Sequence, residues 1–207
     1  NLHWLMPVTG LGYVALAFYL AVYWVLAAWA VRTARRRGIS PLWSLPVVWV
    51  ACEYLRAFVM TGFPWLFLAH AFADVLVLIQ ISDIGGAYAV TFLVVMVNGV
   101  LAELWLQRRP RGLDRPRWRQ LRIGAAVCGL LVVASLVYGL YRLGQVGQFR
   151  TGPRVAVVQE DFPLRSTGDN ESPEIIFTRY LQLAARAAAE KPDLLVFPET
   201  VWASAQN

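Results

Sequence analysis

Pro192-Asp193-Leu194-Leu195-Val196-Phe197-Pro198-Glu199-Thr200 is a short apolar run, bounded by prolines, that ends in a carboxylate. Its length and composition suit a buried strand. The chain before it has a different character. Hydrophobic residues make up 58% and charged residues 15% of the sequence, and the mean hydropathy is +0.50. Such values belong to membrane proteins rather than to soluble domains. A soluble-type strand that delivers one glutamate, behind several long apolar segments, points to chemistry carried out beside a bilayer.

Outward from that run, the pattern is strand, helix, strand. Arg154-Val155-Ala156-Val157-Val158-Gln159 reads as another buried strand, and 160–171 is polar and turn-rich. Ser172-Pro173-Glu174 is a helix start, with serine as N-cap and proline at the first helical position. Ile176, Tyr180, Leu183, Ala184 and Ala187 recur at helical spacing, and Lys191-Pro192-Asp193 ends the helix. This is an α/β opening, too short on its own to bury a full two-layer core. A glycine- and glutamine-bearing stretch, 144–153, separates it from the apolar part as a linker.

Four segments, about 11–31, 42–60, 86–106 and 123–141, approach the roughly 20 apolar residues that a membrane crossing needs. Two arginine clusters flank them: Arg32, Arg35, Arg36 and Arg37, and then Arg108, Arg109, Arg111, Arg115, Arg117, Arg119 and Arg122. Together they hold 11 of the 19 basic residues. Clusters beside long apolar runs act as topology signals on the cytoplasmic side, which argues against a nucleic-acid partner despite the net charge of +6. With both clusters inside, the apolar run 66–81, interrupted by His70 and Asp74, cannot cross and is expected to be interfacial or re-entrant. Everything after about Gly144 then lies outside the cytoplasm. The chain begins at Asn1 with no signal-peptide pattern, and the expectation is a piece truncated at both ends.

Several residues carry chemistry. Glu53 and Arg56, at i,i+3 within 42–60, share a helix face at a depth where ionisable groups are costly unless partnered. They are either an ion pair locking helices together or the wall of a polar cavity that admits lipid headgroups. Thr61-Gly62-Phe63-Pro64-Trp65 breaks the helix, and its Phe63 and Trp65 rings suit the membrane interface. Asp83-Ile84-Gly85-Gly86-Ala87-Tyr88 is a second glycine turn that opens a span, without the spacing of a phosphate-cradling loop. Cys52 and Cys128 lie in apolar runs, and His3 and His70 lack ligand-spaced partners, so no metal and no cofactor is expected. Glu199, just past a strand, stands where α/β proteins place catalytic groups. Partial burial would raise its basicity toward that of a general base.

The motifs W-V-A-C-E-Y-L-R-A at 49–57, T-G-F-P-W-L at 61–66, I-S-D-I-G-G-A-Y-A-V-T-F-L-V-V-M-V-N at 81–98, V-A-V-V-Q at 155–159 and P-D-L-L-V-F-P-E-T at 192–200 cover nearly the whole chain in order. Taken jointly, the sequence resembles the bacterial apolipoprotein N-acyltransferases. The resemblance implies a polytopic α-helical membrane bundle (1–143) followed by the start of a nitrilase-like α-β-β-α sandwich (154–207), placed in the inner membrane with the nitrilase-like part on the periplasmic side. It implies acyl transfer from a phospholipid, usually phosphatidylethanolamine, through a cysteine thioester to the α-amino group of a diacylglyceryl-lipoprotein. Of the family's Glu, Lys and Cys triad only the glutamate maps here, onto Glu199, as base. Phe63, Trp65, Glu53 and Arg56 become candidate substrate contacts. Where the family has Gly-Tyr, this chain has Ala69-His70, and its 159–164 run departs from the usual pattern. The other classes compatible with the residues are a membrane-tethered nitrilase-type amidase, a nitrilase-like accessory unit of a polyprenol glycosyltransferase, and an inactive truncated scaffold.

Overall fold

A computed structural model describes residues 3–6, 9–108, 118–145, 147, 151–159 and 173–198. Glu199, Ser172 and most of the second arginine cluster lie outside the described residues. The chain divides into two compact units, Ala17–Gln148 and the pair of stretches Asn1–Leu16 and Phe149–Asn207.

The larger unit is helical. Helix α1 (Gly10–Arg36) ends with Arg35 and Arg36 in its last turn, where cations complement the helix dipole. Gly38, at φ 86°, turns the chain out of it. Two residues later Ser40 caps α2 (Pro41–Phe58), its Oγ accepting from the Leu42 N–H at 3.2 Å with Pro41 at the first position. After α2 come 3-10 turns at Val59–Thr61 and Leu68–Phe72, the four-residue α3 (Leu76–Ile79), α4 (Ser82–Arg108) and α5 (Trp118–Gly144).

Among the described residues three helices are long and apolar enough to cross a membrane: α1, the Ser82–Leu106 part of α4, and α5, with mean hydropathies of 2.1, 2.0 and 2.3. The sequence predicted four crossings. The missing one is α2, which has 18 residues, about 27 Å at 1.5 Å per residue against a core of about 30 Å. Glu53, Arg56 and its prolines lower its apolar content. The 66–81 stretch holds only a 3-10 turn and α3, neither long enough to cross.

Small residues set the helix spacing, as they do where lipid removes the hydrophobic drive between helices. Leu42 is fully buried. Gly99 of α4 faces its backbone, where an added Cβ would stand 3.0 Å from the Leu42 Cα, and Gly124 of α5 faces its side chain. Further along α5, Gly139 lies against the Val77 carbonyl of α3. The buried side of α5 is accordingly Leu121, Gly124, Cys128, Ser135 and Gly139. At one end of the α2–α4 contact, the Ser40 hydroxyl donates to the buried Glu103 carboxylate at 2.6 Å. The glycine turn expected at the head of α4 is a kink at Gly85–Gly86. Gly86, at φ 60° and ψ −162°, occupies a region open essentially to glycine alone. Asp83, just before the kink, pairs with Arg142 near the end of α5 at 2.7 Å.

In the other unit, β1 (Val155–Val157) and β2 (Leu194–Val196) pair in parallel, Val155 opposite Leu194 and Val157 opposite Val196. The helix between them, α6 (Pro173–Ala189), starts at the predicted proline. Its Ile176, Tyr180, Leu183 and Ala187 pack with Val158, Leu195 and Phe197, the face its spacing predicted. Asp193 closes the unit: its carboxylate accepts from the Arg154 N–H at 2.8 Å, and its own N–H donates to the Arg154 carbonyl at 2.8 Å. The expected sandwich is not seen: the described residues form a two-stranded sheet with one helix. On the sheet's other face Val155, Val157, Leu194 and Val196 are exposed.

The Leu42 contact yields a prediction. Gly124→Val forces branched carbon into the Leu42 side chain and is expected to cost about 1–3 kcal/mol by overpacking. Gly129→Ala, with open space around it, is expected to leave the melting temperature in detergent unchanged or slightly higher. Equal thermal denaturation curves for the two variants would contradict the close approach.

Candidate functional site

Glu53 is 4% exposed, although it is an acid within an apolar helix. Its carboxylate accepts three hydrogen bonds. Oε1 takes the Leu68 backbone N–H at 2.8 Å and the Trp49 indole N–H at 3.3 Å. Oε2 takes the hydroxyl of Thr91 on α4 at 2.9 Å. Thr91, itself fully buried, accepts in turn from the Ala69 N–H at 3.2 Å. Two consecutive backbone donors of the 67–72 turn are thus satisfied by one carboxylate and the hydroxyl it orients. Without them those N–H groups would be orphaned away from water.

Arg56, one turn later, goes elsewhere. Its Nη2 donates to the Leu66 carbonyl at 3.3 Å, and its guanidinium lies 5.2 Å from the Phe67 ring centroid, in cation–π range. No ion pair joins Glu53 and Arg56; the two grip the same loop two residues apart, Arg56 at Leu66 and Glu53 at Leu68. Arg56 Nε is buried and has no hydrogen-bond partner among the described residues, a state that costs about 1–3 kcal/mol.

The loop so held is strained. Met60 (φ 52°) and Leu66 (φ 58°) are left-handed without being glycine, and Gly62 sits at φ 83° between them. A Cβ at Gly62 would run into the Ala57 carbonyl. Such conformations persist only where the surroundings over-determine them. Here the Arg56 carbonyl accepts from the Phe63 N–H at 2.8 Å, and the Tyr19 hydroxyl of α1 donates to the Val59 carbonyl at 2.9 Å. The Phe63 and Trp65 rings lie 5.7 Å apart, with Trp65 half exposed. The four candidate contacts in the helical unit therefore assemble around one loop, 59–69. Glu199 lies outside the described residues.

Beside the loop is an apolar groove of about 570 Å³ between α2 and α4, lined by Val47, Val50, Ala51, Leu55, Tyr88 and Phe92 with Tyr54. An aromatic series connects it to the loop: Tyr54 to Tyr88 at 5.9 Å, then Tyr88 to Phe67 at 5.4 Å, the ring under Arg56. His70 stacks on the same Phe67 at 5.4 Å, a packing role. Thr91 and Trp49, which complete the Glu53 site, were not picked out from sequence. The one signal for Thr91 was a lone hydroxyl within an otherwise apolar span.

Replacing Glu53 tests the arrangement. Glu53→Leu leaves the Leu68 N–H and the Trp49 indole without an acceptor and frees the Thr91 hydroxyl. The expected result is a loss of several kcal/mol and rapid chymotrypsin cleavage after Trp65 or Phe67. Glu53→Gln keeps one acceptor and is expected to fall between. A protease-resistant Glu53→Leu protein would show that the carboxylate does not hold the loop.

Residues 1–100 match the profile of the apolipoprotein N-acyltransferase N-terminal domain, a stretch that contains Glu53, Arg56, the loop and Thr91. The chain is similar to proteins named apolipoprotein N-acyltransferase from Geobacter metallireducens (36% identity over 202 residues, 97% of this chain and 37% of the relative). It is likewise similar to those from Rhodopirellula baltica (31% over 226 residues, 97% and 39%) and Caulobacter vibrioides (32% over 212 residues, 99% and 36%). The chain thus spans well under half the length of these relatives. Its helical unit, with a buried glutamate bracing a strained aromatic loop, carries the match to the apolipoprotein N-acyltransferase N-terminal domain over residues 1–100.

Proposed function

We propose that this chain supplies the membrane bundle and the first strand–helix–strand unit of an apolipoprotein N-acyltransferase of the bacterial inner membrane. In this reading α2 is a fourth crossing, the 66–81 stretch is interfacial or re-entrant, and the α/β unit lies on the periplasmic side, as the arginine clusters require. The observation that carries it is the parallel β1–α6–β2 unit: β2 ends at Val196, and the P-E-T run follows at once. The apolar residues on both faces of the strands suit a parallel sheet covered on both sides, as the start of a nitrilase-like sandwich would be.

Glu199 then acts as the base. It removes the proton from the nucleophilic cysteine thiol of the complete enzyme, and the thiolate attacks the ester carbonyl of a phospholipid. The thioester forms, the ester C–O bond breaks, and a lysophospholipid leaves with the proton. In the second half the α-amino group of the diacylglyceryl-cysteine of a lipoprotein attacks the thioester. The amide C–N bond forms as the thioester C–S bond breaks, and Glu199 passes the proton it takes from the amine to the departing thiolate, which restores the thiol. Neither Cys52 nor Cys128 serves as that nucleophile, since both sit within apolar helices, Cys128 buried.

Two measurements test the reading. Glu199→Gln in the complete enzyme is expected to abolish N-acylation of a reporter lipopeptide, by roughly 100-fold or more for loss of a general base, with membrane content unchanged. An unshifted rate of mass gain in that variant would remove the base role. The 207-residue chain on its own is expected to take up no hydroxylamine-sensitive acyl label. Labelling that disappears in Cys52→Ser or Cys128→Ser would overturn the exclusion of those thiols.

A further inference from the structure

We propose that Arg56 and the α2–α4 groove form one phospholipid site, in which the guanidinium holds the phosphodiester and the groove takes an acyl chain. Three observations converge on it. A guanidinium has five N–H donors, and this one uses a single one within the protein, the Nη2 bond to Leu66. Nε is buried without a partner, while Nη1 carries no hydrogen bond and is not closed off. The nearest acid on its helix, Glu53, is saturated by Leu68, Trp49 and Thr91. Among the described residues Arg56 thus makes no ion pair, the Glu53 carboxylate three residues away being bonded elsewhere, and it sits near the end of an apolar helix, where intramembrane charges mark ligand sites. A phosphodiester is the anion whose planar pair of oxygens suits the guanidinium edge.

The groove supplies the other half. Leu55 and Tyr54, its lining residues at the arginine end, directly precede Arg56, and Phe67 beneath the guanidinium touches Tyr88 of the groove wall. From Val47 to Leu55 it follows about 12 Å of helix. Its walls are apolar, and Val47 and Leu55 are exposed, so a chain can enter sideways from the surrounding lipid. A cationic side chain at one end and a hydrocarbon slot at the other suit a glycerophospholipid, an anionic phosphodiester joined to acyl chains. The stacking on Phe67 fixes the guanidinium plane, which preorganises it for that contact. The purpose of the site, presenting the acyl donor, rests on the acyl-transfer reading above; the binding itself does not.

The test is lipid binding by the detergent-solubilised chain, followed by native mass spectrometry. The probes are dioleoyl phosphatidylglycerol and phosphatidylethanolamine, with dioleoylglycerol as the phosphate-free control. Arg56→Gln is expected to weaken both phospholipids about tenfold or more and to leave dioleoylglycerol unchanged. Arg56→Lys, a point charge without the fork, is expected to recover part of the loss. Ala51→Phe, which fills the groove, is expected to weaken all three lipids. Wild-type phospholipid binding by Arg56→Gln, or equal losses of phospholipid and dioleoylglycerol, would overturn the site and leave Arg56 a strut for the loop. Should Arg56→Gln unfold, unchanged phospholipid binding in both Arg56→Lys and Ala51→Phe overturns it instead. Arg56-dependent binding by this chain, with no acyl transfer by the complete enzyme, would retain the site and remove the acyl-transfer reading. Acyl transfer with Arg56-independent binding would do the reverse.

Discussion

The helical unit depends on where one carboxylate goes. In a hydrocarbon setting Glu53 cannot be left to water, so it must collect donors, and the donors it collects belong to three different parts of the chain: its own helix, the 67–72 turn and α4. That arrangement converts a liability into a fixed point. The backbone of Leu68 and Ala69 is satisfied only because Glu53 and Thr91 are there, and Thr91 is oriented by Glu53. Buried polar networks of this kind specify a unique arrangement when every member is satisfied, and are costly when one is missing. The strained loop between Met60 and Leu66 hangs from this point at one side and from the Tyr19 and Arg56 contacts at the other.

The helices were legible because long apolar runs and flanking arginines are signals with few competitors. So were the glycine turns at Gly62 and at Gly85–Gly86. The partnership of Glu53 was not. An i,i+3 spacing brings two side chains to one face but says nothing of what else lies there, and here a backbone N–H, an indole N–H and a hydroxyl take the carboxylate in place of the neighbouring guanidinium. Thr91 was passed over because a single hydroxyl in a span disturbs no periodicity. Gly99 and Gly124 were unremarked for a related reason: their meaning lies in Leu42, far away in sequence. The fourth expected segment, α2, falls short of the other three because the two ionisable residues that make it interesting also lower its apolar content.

In the smaller unit the strand–helix–strand order, the helix start at Pro173 and the inward face of α6 followed from spacing alone. The sandwich did not follow, since a second layer depends on residues that pack on the face carrying Val155 and Val157, and periodicity within one strand cannot name them. The candidate base stands on sequence and position after β2, whereas the loop site stands on distances. The two halves of the functional reading therefore draw on different kinds of support.

The Glu53 network also has an order in time. The chain leaves the ribosome N-terminus first, and the acceptors on Glu53 wait for donors 15 and 38 residues downstream. At roughly 5–20 residues per second the second of these trails by seconds. During that interval α2 carries an unsatisfied acid and an unmatched guanidinium and is too short and polar to settle alone in lipid. Only when α4 emerges carrying Thr91 is the third donor to Glu53 present, so the satisfied state of α2 depends on α4 and not on its own sequence alone.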